Sequence, residues 1–139
     1  MFTVLHSSAG AGKTHALVKR YLVLALGKKD ADTYAGILAL TFTNKAAAEM
    51  RERVLEYLEA LASGKPLEKA TEKDVLNEVM AQAGIGADEV HRRAKATLTH
   101  MLHHWSQLAV TTIDSFTRRV VMPFTRELQL DQELRMTTE

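Results

Sequence analysis

The sequence predicts an α/β fold with few parallel strands and a large helical content, and three stretches predict it. An apolar run, Phe2 to His6, leads through Ser-Ser-Ala-Gly-Ala-Gly-Lys-Thr (Ser7 to Thr14) into a helical pattern that begins at Lys13. Gly36 to Phe42 is a near-continuous apolar run, which suits a strand buried on both faces of a parallel sheet. Gln107 to Ile113 reads as a third strand and again precedes a helical pattern. Strands that alternate with helices favour parallel pairing, because each helix returns the chain to the start of the next strand.

The elements follow in order. The first helix, about Lys13 to Leu26, carries Leu17, Val18, Tyr21, Leu22, Leu24, Ala25 and Leu26 around most of its later half, as a helix packed under a sheet would. Gly27 suits its C-terminal stop. After the second strand a long helix is predicted from Lys45 to Ser63, with Asn44 as its N-cap and Ala47, Met50, Val54, Leu58 and Leu61 on one face. Gly64 and Pro66 end it. Residues 71–83 form another helix, opened by Thr71 with Asp74 three residues on in a capping-box spacing. Gly84-Ile85-Gly86 breaks it, and a further helix from Asp88 to Trp105 puts Val90, Ala94, Leu98, Met101, Leu102 and Trp105 on one stripe, making Trp105 a core residue. Asp114 is expected to cap the last helix, which runs toward Leu128 with a kink or restart at Pro123. The organisation expected is therefore 1–62, a helical insertion over 63–106, a strand and helix over 107–128, and an acidic tail over 129–139.

Composition sets outer limits. The 139 residues make one ordinary domain, and 46% hydrophobic residues can supply its core. A net charge of +1 gives no strong global pull toward nucleic acid or membrane, so only local basic clusters matter. There is no cysteine, which excludes disulfides and thiolate metal sites and fits a reducing compartment. The longest apolar run, Tyr21 to Leu26, is far too short to span a bilayer, and no signal peptide pattern opens the chain. A cytoplasmic protein with no membrane partner is the expectation.

The chemistry begins at the glycine-rich loop. Glycines at 10 and 12 remove the Cβ atoms that would block close approach, and successive backbone N–H groups at a helix start can cradle a di- or triphosphate. Ser8, Ala9, Gly10, Ala11, Gly12, Lys13 and Thr14 are the candidate nucleotide ligands, with ATP and Mg²⁺ as the expected cofactors. Lys13 would reach the β- and γ-phosphates and stabilise transition-state charge, while the Thr14 hydroxyl would ligate Mg²⁺. Ser7 stands where the strict motif has its first glycine.

Two further motifs make the pattern specific. Thr41-Phe42-Thr43-Asn44-Lys45-Ala46-Ala47-Ala48-Glu49-Met50-Arg51-Glu52-Arg53 resembles motif Ia of the superfamily 1 helicases related to UvrD, RecB and AddA. Thr111-Thr112-Ile113-Asp114-Ser115-Phe116 resembles the motif Ic of that family, with Asp114 in place of the usual His. Residues 7–14 resemble its motif I, in which Ala or Ser commonly replaces the first glycine. The resemblance implies a RecA-like P-loop NTPase motor domain, here its first domain in part. It implies an ATP-dependent DNA helicase or translocase, with or without a fused nuclease, acting in DNA repair or recombination.

It also implies single-stranded DNA running across the carboxyl ends of the strands. Phe42 is suited to stack on a base, a contact worth ~1–3 kcal/mol and indifferent to sequence. Thr43, Asn44, Lys45, Thr112 and Ser115 can meet phosphates, and Arg118 and Arg119 could add counterion-releasing contacts. For Phe42 a core aromatic and for the two arginines a solvated helix face remain the bland alternatives. A carboxylate at Asp114 is ill placed beside phosphates and better explained as a helix cap.

The expected ATP site is half a site. Hydrolysis also needs a carboxylate that holds Mg²⁺ from another strand, a group that orients water, and arginine fingers. No Asp-Glu pair here follows an apolar strand, since Asp88-Glu89 follows Gly84-Ile85-Gly86. The expectation is an N-terminal portion of a larger helicase, nearly inactive alone, whose partners are the remainder of the motor and, in a helicase–nuclease, the nuclease part. In that class other strands lie between the first strand and the motif Ia strand, so these two are expected not to pair. His100, His103 and His104 have helical spacing for a metal but no acidic or sulfur partner, and a polar helix face is the better account. A P-loop kinase and a non-catalytic nucleic-acid-binding module remain as alternatives.

Overall fold

The computed structural model of the chain describes residues 3–6 and 11–127. The acidic tail expected over 129–139 lies outside them. The order is β1 (Thr3–His6), α1 (Ala11–Ala25), β2 (Ile37–Thr41), α2 (Asn44–Ala62), α3 (Ala70–Ala83), α4 (Ala87–His103), β3 (Ala109–Thr112) and α5 (Ile113–Glu127). Short 3₁₀ turns at Thr33–Gly36 and Trp105–Gln107 lead into β2 and β3. The predicted α/β alternation with parallel strands and abundant helix is present.

The sheet corrects one expectation. Its order is β1-β2-β3, one continuous three-stranded parallel sheet. Thr3 to His6 pair with Ile37 to Leu40, and Leu38 to Thr41 pair with Ala109 to Thr112. Among the described residues no strand stands between β1 and β2, so the expectation that they would not pair is overturned. The physical reason is local. An unpaired edge on β2 would leave buried N–H and C=O groups without partners, and the βαβ unit through α1 closes most directly on the neighbouring strand.

Sequential strand order with right-handed crossovers puts α1 and α2 on the same face, where they touch. Period-two alternation then turns Ile37, Ala39 and Val110 into the core. α3 packs on α1 and α2, and α4 lies along α2. Val75 and Val79 of α3 and Val90, Ala94 and Met101 of α4 are buried in the same cluster as Val18, Tyr21, Leu22, Met50, Val54 and Leu58. Residues 63–106 thus complete the core of the strand-bearing part.

Several helix ends differ from expectation. Thr43, not Asn44, caps α2: its backbone is extended and its Oγ1 accepts from the Ala46 N–H at 3.0 Å. α3 begins one residue before Thr71, without a side-chain cap, and Asp74 bonds to α1 instead. Gly84 closes α3 in the left-handed conformation, φ 66°, with its N–H on the Met80 carbonyl. Trp105 is 43% exposed, not core. α4 buries Val90, Ala94, Thr97 and Met101, a complete i, i+4, i+7, i+11 stripe. Leu102 lies about 100° around from it, and Trp105 falls beyond the last helical residue.

Candidate nucleotide and nucleic-acid site

Because all three strands are parallel, their carboxyl ends share one edge of the sheet, where α/β proteins collect ligands. The segment leaving β1 holds Ser8, Ala9 and Gly10, which lie outside the described residues, as does the side chain of Lys13. Ala11, Gly12, Lys13 and Thr14 open α1, whose first turn contains no acidic residue. Its leading amides lack intrahelical acceptors, and no carboxylate of that turn competes with an anion there. Thr14 is half-buried. The described start of α1 is therefore compatible with a nucleotide phosphate.

The next residue, His15, is tied into the helical layer. Its Nδ1 lies 3.2 Å from the Tyr57 hydroxyl of α2 and its Nε2 2.9 Å from Asp74 Oδ2 of α3. Lys19, one turn on, donates to the same oxygen at 3.1 Å. These two donors, His15 first, hold the Asp74 carboxyl below the usual carboxylate range.

At the ends of β2 and β3 the second group of predicted residues comes together. Thr41 pairs in register with Thr112, and its Oγ1 hydrogen-bonds the carbonyls of Thr43 (3.1 Å) and Thr111 (3.3 Å), stitching the two strand ends. Phe42 is 56% exposed, which disfavours the core alternative for this ring. Thr43, Asn44 and Lys45 are exposed at the start of α2, again a first turn without acids. Thr112 is buried, and its hydroxyl accepts from the Ser115 N–H (3.1 Å) and donates to Ser115 Oγ (2.9 Å). Thr112 thus caps α5, the role expected of Asp114, and orients Ser115. Asp114 instead pairs with Arg118 at 3.3 Å. Arg119 reaches back to Thr111 Oγ1 at 3.3 Å.

One residue in this region escapes the sequence reading. Arg51 donates from Nη1 to the Val110 carbonyl at 2.8 Å and fastens α2 to β3. The signal lies in the spacing: Arg51 sits four residues after Ala47 and three before Val54, on the apolar face.

The histidines at the end of α4 make local contacts. Tyr34 OH lies 2.8 Å from His100 Nδ1, His103 Nδ1 donates to the Thr99 carbonyl, and His104 Nδ1 to that of His100. Among the described residues no group of side chains is arranged to hold a metal. An open, shallow groove runs along this face past His91, Arg92, Lys95 and His100, but none of the strand-end residues lines it.

The sequence matches the UvrD/REP helicase N-terminal domain over residues 2–139. The chain belongs to that family. It is similar to an ATP-dependent helicase/nuclease subunit from Anoxybacillus flavithermus, 29% identical over 137 residues, covering 99% of this chain and 9% of the relative. The corresponding helicase/nuclease protein of Exiguobacterium sibiricum is 44% identical over 57 residues, 41% of this chain and 5% of the relative. That from Clostridium botulinum is 41% identical over 69 residues, 50% and 5% respectively. The chain thus spans less than a tenth of the length of these relatives. No solved structure matches it. No helix among the described residues is long and apolar enough to cross a membrane.

Proposed function

We propose that the chain supplies the ATP-binding portion and part of the DNA track of an ATP-dependent DNA helicase or translocase, of helicase–nuclease type, working in DNA repair or recombination. One observation carries the reading. The sheet brings the exposed Phe42, the acid-free start of α2 and the Ser115 hydroxyl to the same edge from which the glycine-rich segment leaves β1.

In this reading Ser8 to Thr14 would hold the nucleotide phosphates, the Lys13 ammonium would draw γ-phosphate charge, and the Thr14 hydroxyl would hold Mg²⁺, which when bound would supply charge neutralisation. Phe42 offers a sequence-indifferent face to a base. Thr43, Asn44, Lys45 and Ser115 meet the backbone, with Arg118 and Arg119 released from Asp114 and Thr111 to add cationic contacts. Thr112 serves by fixing Ser115. The carboxylate for Mg²⁺, the water-orienting group and the arginine finger would come from other parts of the motor, so the 139 residues alone are expected to hydrolyse ATP negligibly.

Titration of labelled oligo(dT), with and without ATP and Mg²⁺, tests the reading. Oligonucleotide binding that shifts with nucleotide supports it. Nucleotide binding alone points to a kinase, and DNA binding insensitive to nucleotide to a non-catalytic module. Turnover by the isolated chain at the rate of a complete motor, lost in Lys13→Ala, contradicts the half-site assignment.

A further inference from the structure

Among the described residues the most connected polar cluster outside the strand ends is the one around Asp74, and it begins one residue after Thr14. A carboxylate only accepts, so His15 Nε2–H donates to Asp74 Oδ2 at 2.9 Å, and in the neutral ring Nδ1 accepts the Tyr57 hydroxyl proton at 3.2 Å. The two rings meet edge-on with centroids 5.9 Å apart. Lys19 lies four residues beyond His15, on the same face of α1, and donates to the same oxygen. One oxygen of α3 therefore grips α1 at two points a helical turn apart, while Tyr57 of α2 backs the nearer one. Two such points constrain both the rotation of α1 and its position along its axis.

The partial exposure of the group argues against a purely stabilising role. The Asp74 side chain is 48% and the Lys19 side chain 28% exposed, and pairs this wet contribute little to global stability. Phosphate recognition by backbone amides, in contrast, is sensitive to displacements of about half an ångström.

We propose that His15 is a positioning residue through which α3, by way of Asp74, sets the first turn of α1 and so its affinity for a nucleoside triphosphate. The proposal rests on the phosphate-cradle reading above. It makes the helical segment after α2 a lever on the nucleotide site, so that what shifts α3 also shifts nucleotide affinity, and the reverse.

The test uses the whole chain, a fluorescent ATP analogue with Mg²⁺, and amide hydrogen exchange on the nucleotide-free protein. Asp74→Ala is expected to weaken analogue binding about fivefold or more. It should also speed exchange over residues 11–19, with the melting temperature nearly unchanged. Asp74→Asn keeps an acceptor oxygen for His15 and recovers part of the affinity. Arg92→Ala, which breaks the exposed pair with Glu89 within α4, changes neither readout. Unaltered exchange in Asp74→Ala overturns the coupling whatever the nucleotide does, and so does faster exchange with unaltered affinity. A wild-type chain that binds no nucleotide overturns the cradle reading and with it the affinity claim, while exchange at residues 11–19 still decides whether Asp74 positions the first turn of α1.

Discussion

Replacing Phe42 with Ala separates a DNA platform from a structural aromatic, because the two roles load different measurements. At 56% exposure the ring has less than half its surface removed from water. Full burial of a Phe is worth about 1.5–3 kcal/mol, so truncation here costs folding roughly 1 kcal/mol. Loss of one base-stacking contact costs about 1–3 kcal/mol of binding, which is roughly a 5- to 150-fold weakening. Fluorescence anisotropy with labelled oligo(dT) reads the second number and thermal denaturation the first. The weakening should be equal across salt concentrations, since an aromatic neutralises no phosphate and leaves the slope of log K against log salt unchanged. Phe42→Trp should restore most of the affinity. An Ala variant that binds within twofold of wild type but melts many degrees lower refutes the platform, as does a changed salt slope.

Other substitutions probe the frame. Arg93 donates to the Leu26 carbonyl at the end of α1 (3.0 Å) and to Glu89 (3.1 Å) with a side chain only 10% exposed, so Arg93→Met should cost about 2 kcal/mol in urea unfolding. A loss below about half a kcal/mol would mean the C-terminal cap of α1 is dispensable. Tyr21 is fully buried with its hydroxyl unpaired among the described residues, and burial pushes that hydroxyl's pKa well up. Tyr21→Phe should therefore match or exceed wild type in melting temperature. Tyr34→Phe removes the 2.8 Å bond to His100 and should lose about 1 kcal/mol; the opposite ranking of the two variants would contradict the assignment. Asp74 has a depressed carboxyl, so its stabilising effect is present above the ordinary value of 3.8 and fades as pH falls through the lower folded value. For so exposed a pair the effect is local, so wild type and Asp74→Asn should converge in amide exchange over residues 11–19 as pH falls below 3.8, and a gap that widens on acidification would refute the pairing.

Much of this architecture was legible in one dimension, for identifiable reasons. Period and composition located the helices and strands within a few residues, because the buried stripes of α2 and α4 and the apolar run of β2 are long enough to outweigh local preference. Local chemistry was less legible where two residues could do one job. Thr43 and Asn44 are both good caps, and only the backbone shows that the chain leaves the extended region at Thr43. Asp74 fits a capping box by spacing, yet a partner 59 residues away in sequence takes its carboxylate. Thr112 resembled a phosphate donor, and its hydroxyl is used within the turn. Strand neighbours were the least legible. The expected separation of β1 from β2 came from likeness to larger motors, whereas pairing follows from which edges this chain offers.

The direct pairing of β1 with β2 also bears on how the two halves of the site communicate. The proposed nucleotide side hangs on β1 and α1, the proposed DNA side on the ends of β2 and β3, and four residue pairs of parallel ladder join each strand to the next. Arg51 fastens α2 to β3, Tyr57 of the same helix meets His15 of α1, and Thr43 caps that helix beside Phe42. Among the described residues α2 thus has a side-chain bond to each side of the site. A contact that draws the start of α2 toward a DNA backbone would act on a 19-residue helix whose later turns touch α1. That geometry links α2 to both proposed ligand sites, and a double-mutant cycle between Phe42 and His15, read in oligo(dT) affinity with and without nucleotide, measures whether energy travels along it. Additive losses would show that Phe42 and His15 are not energetically coupled.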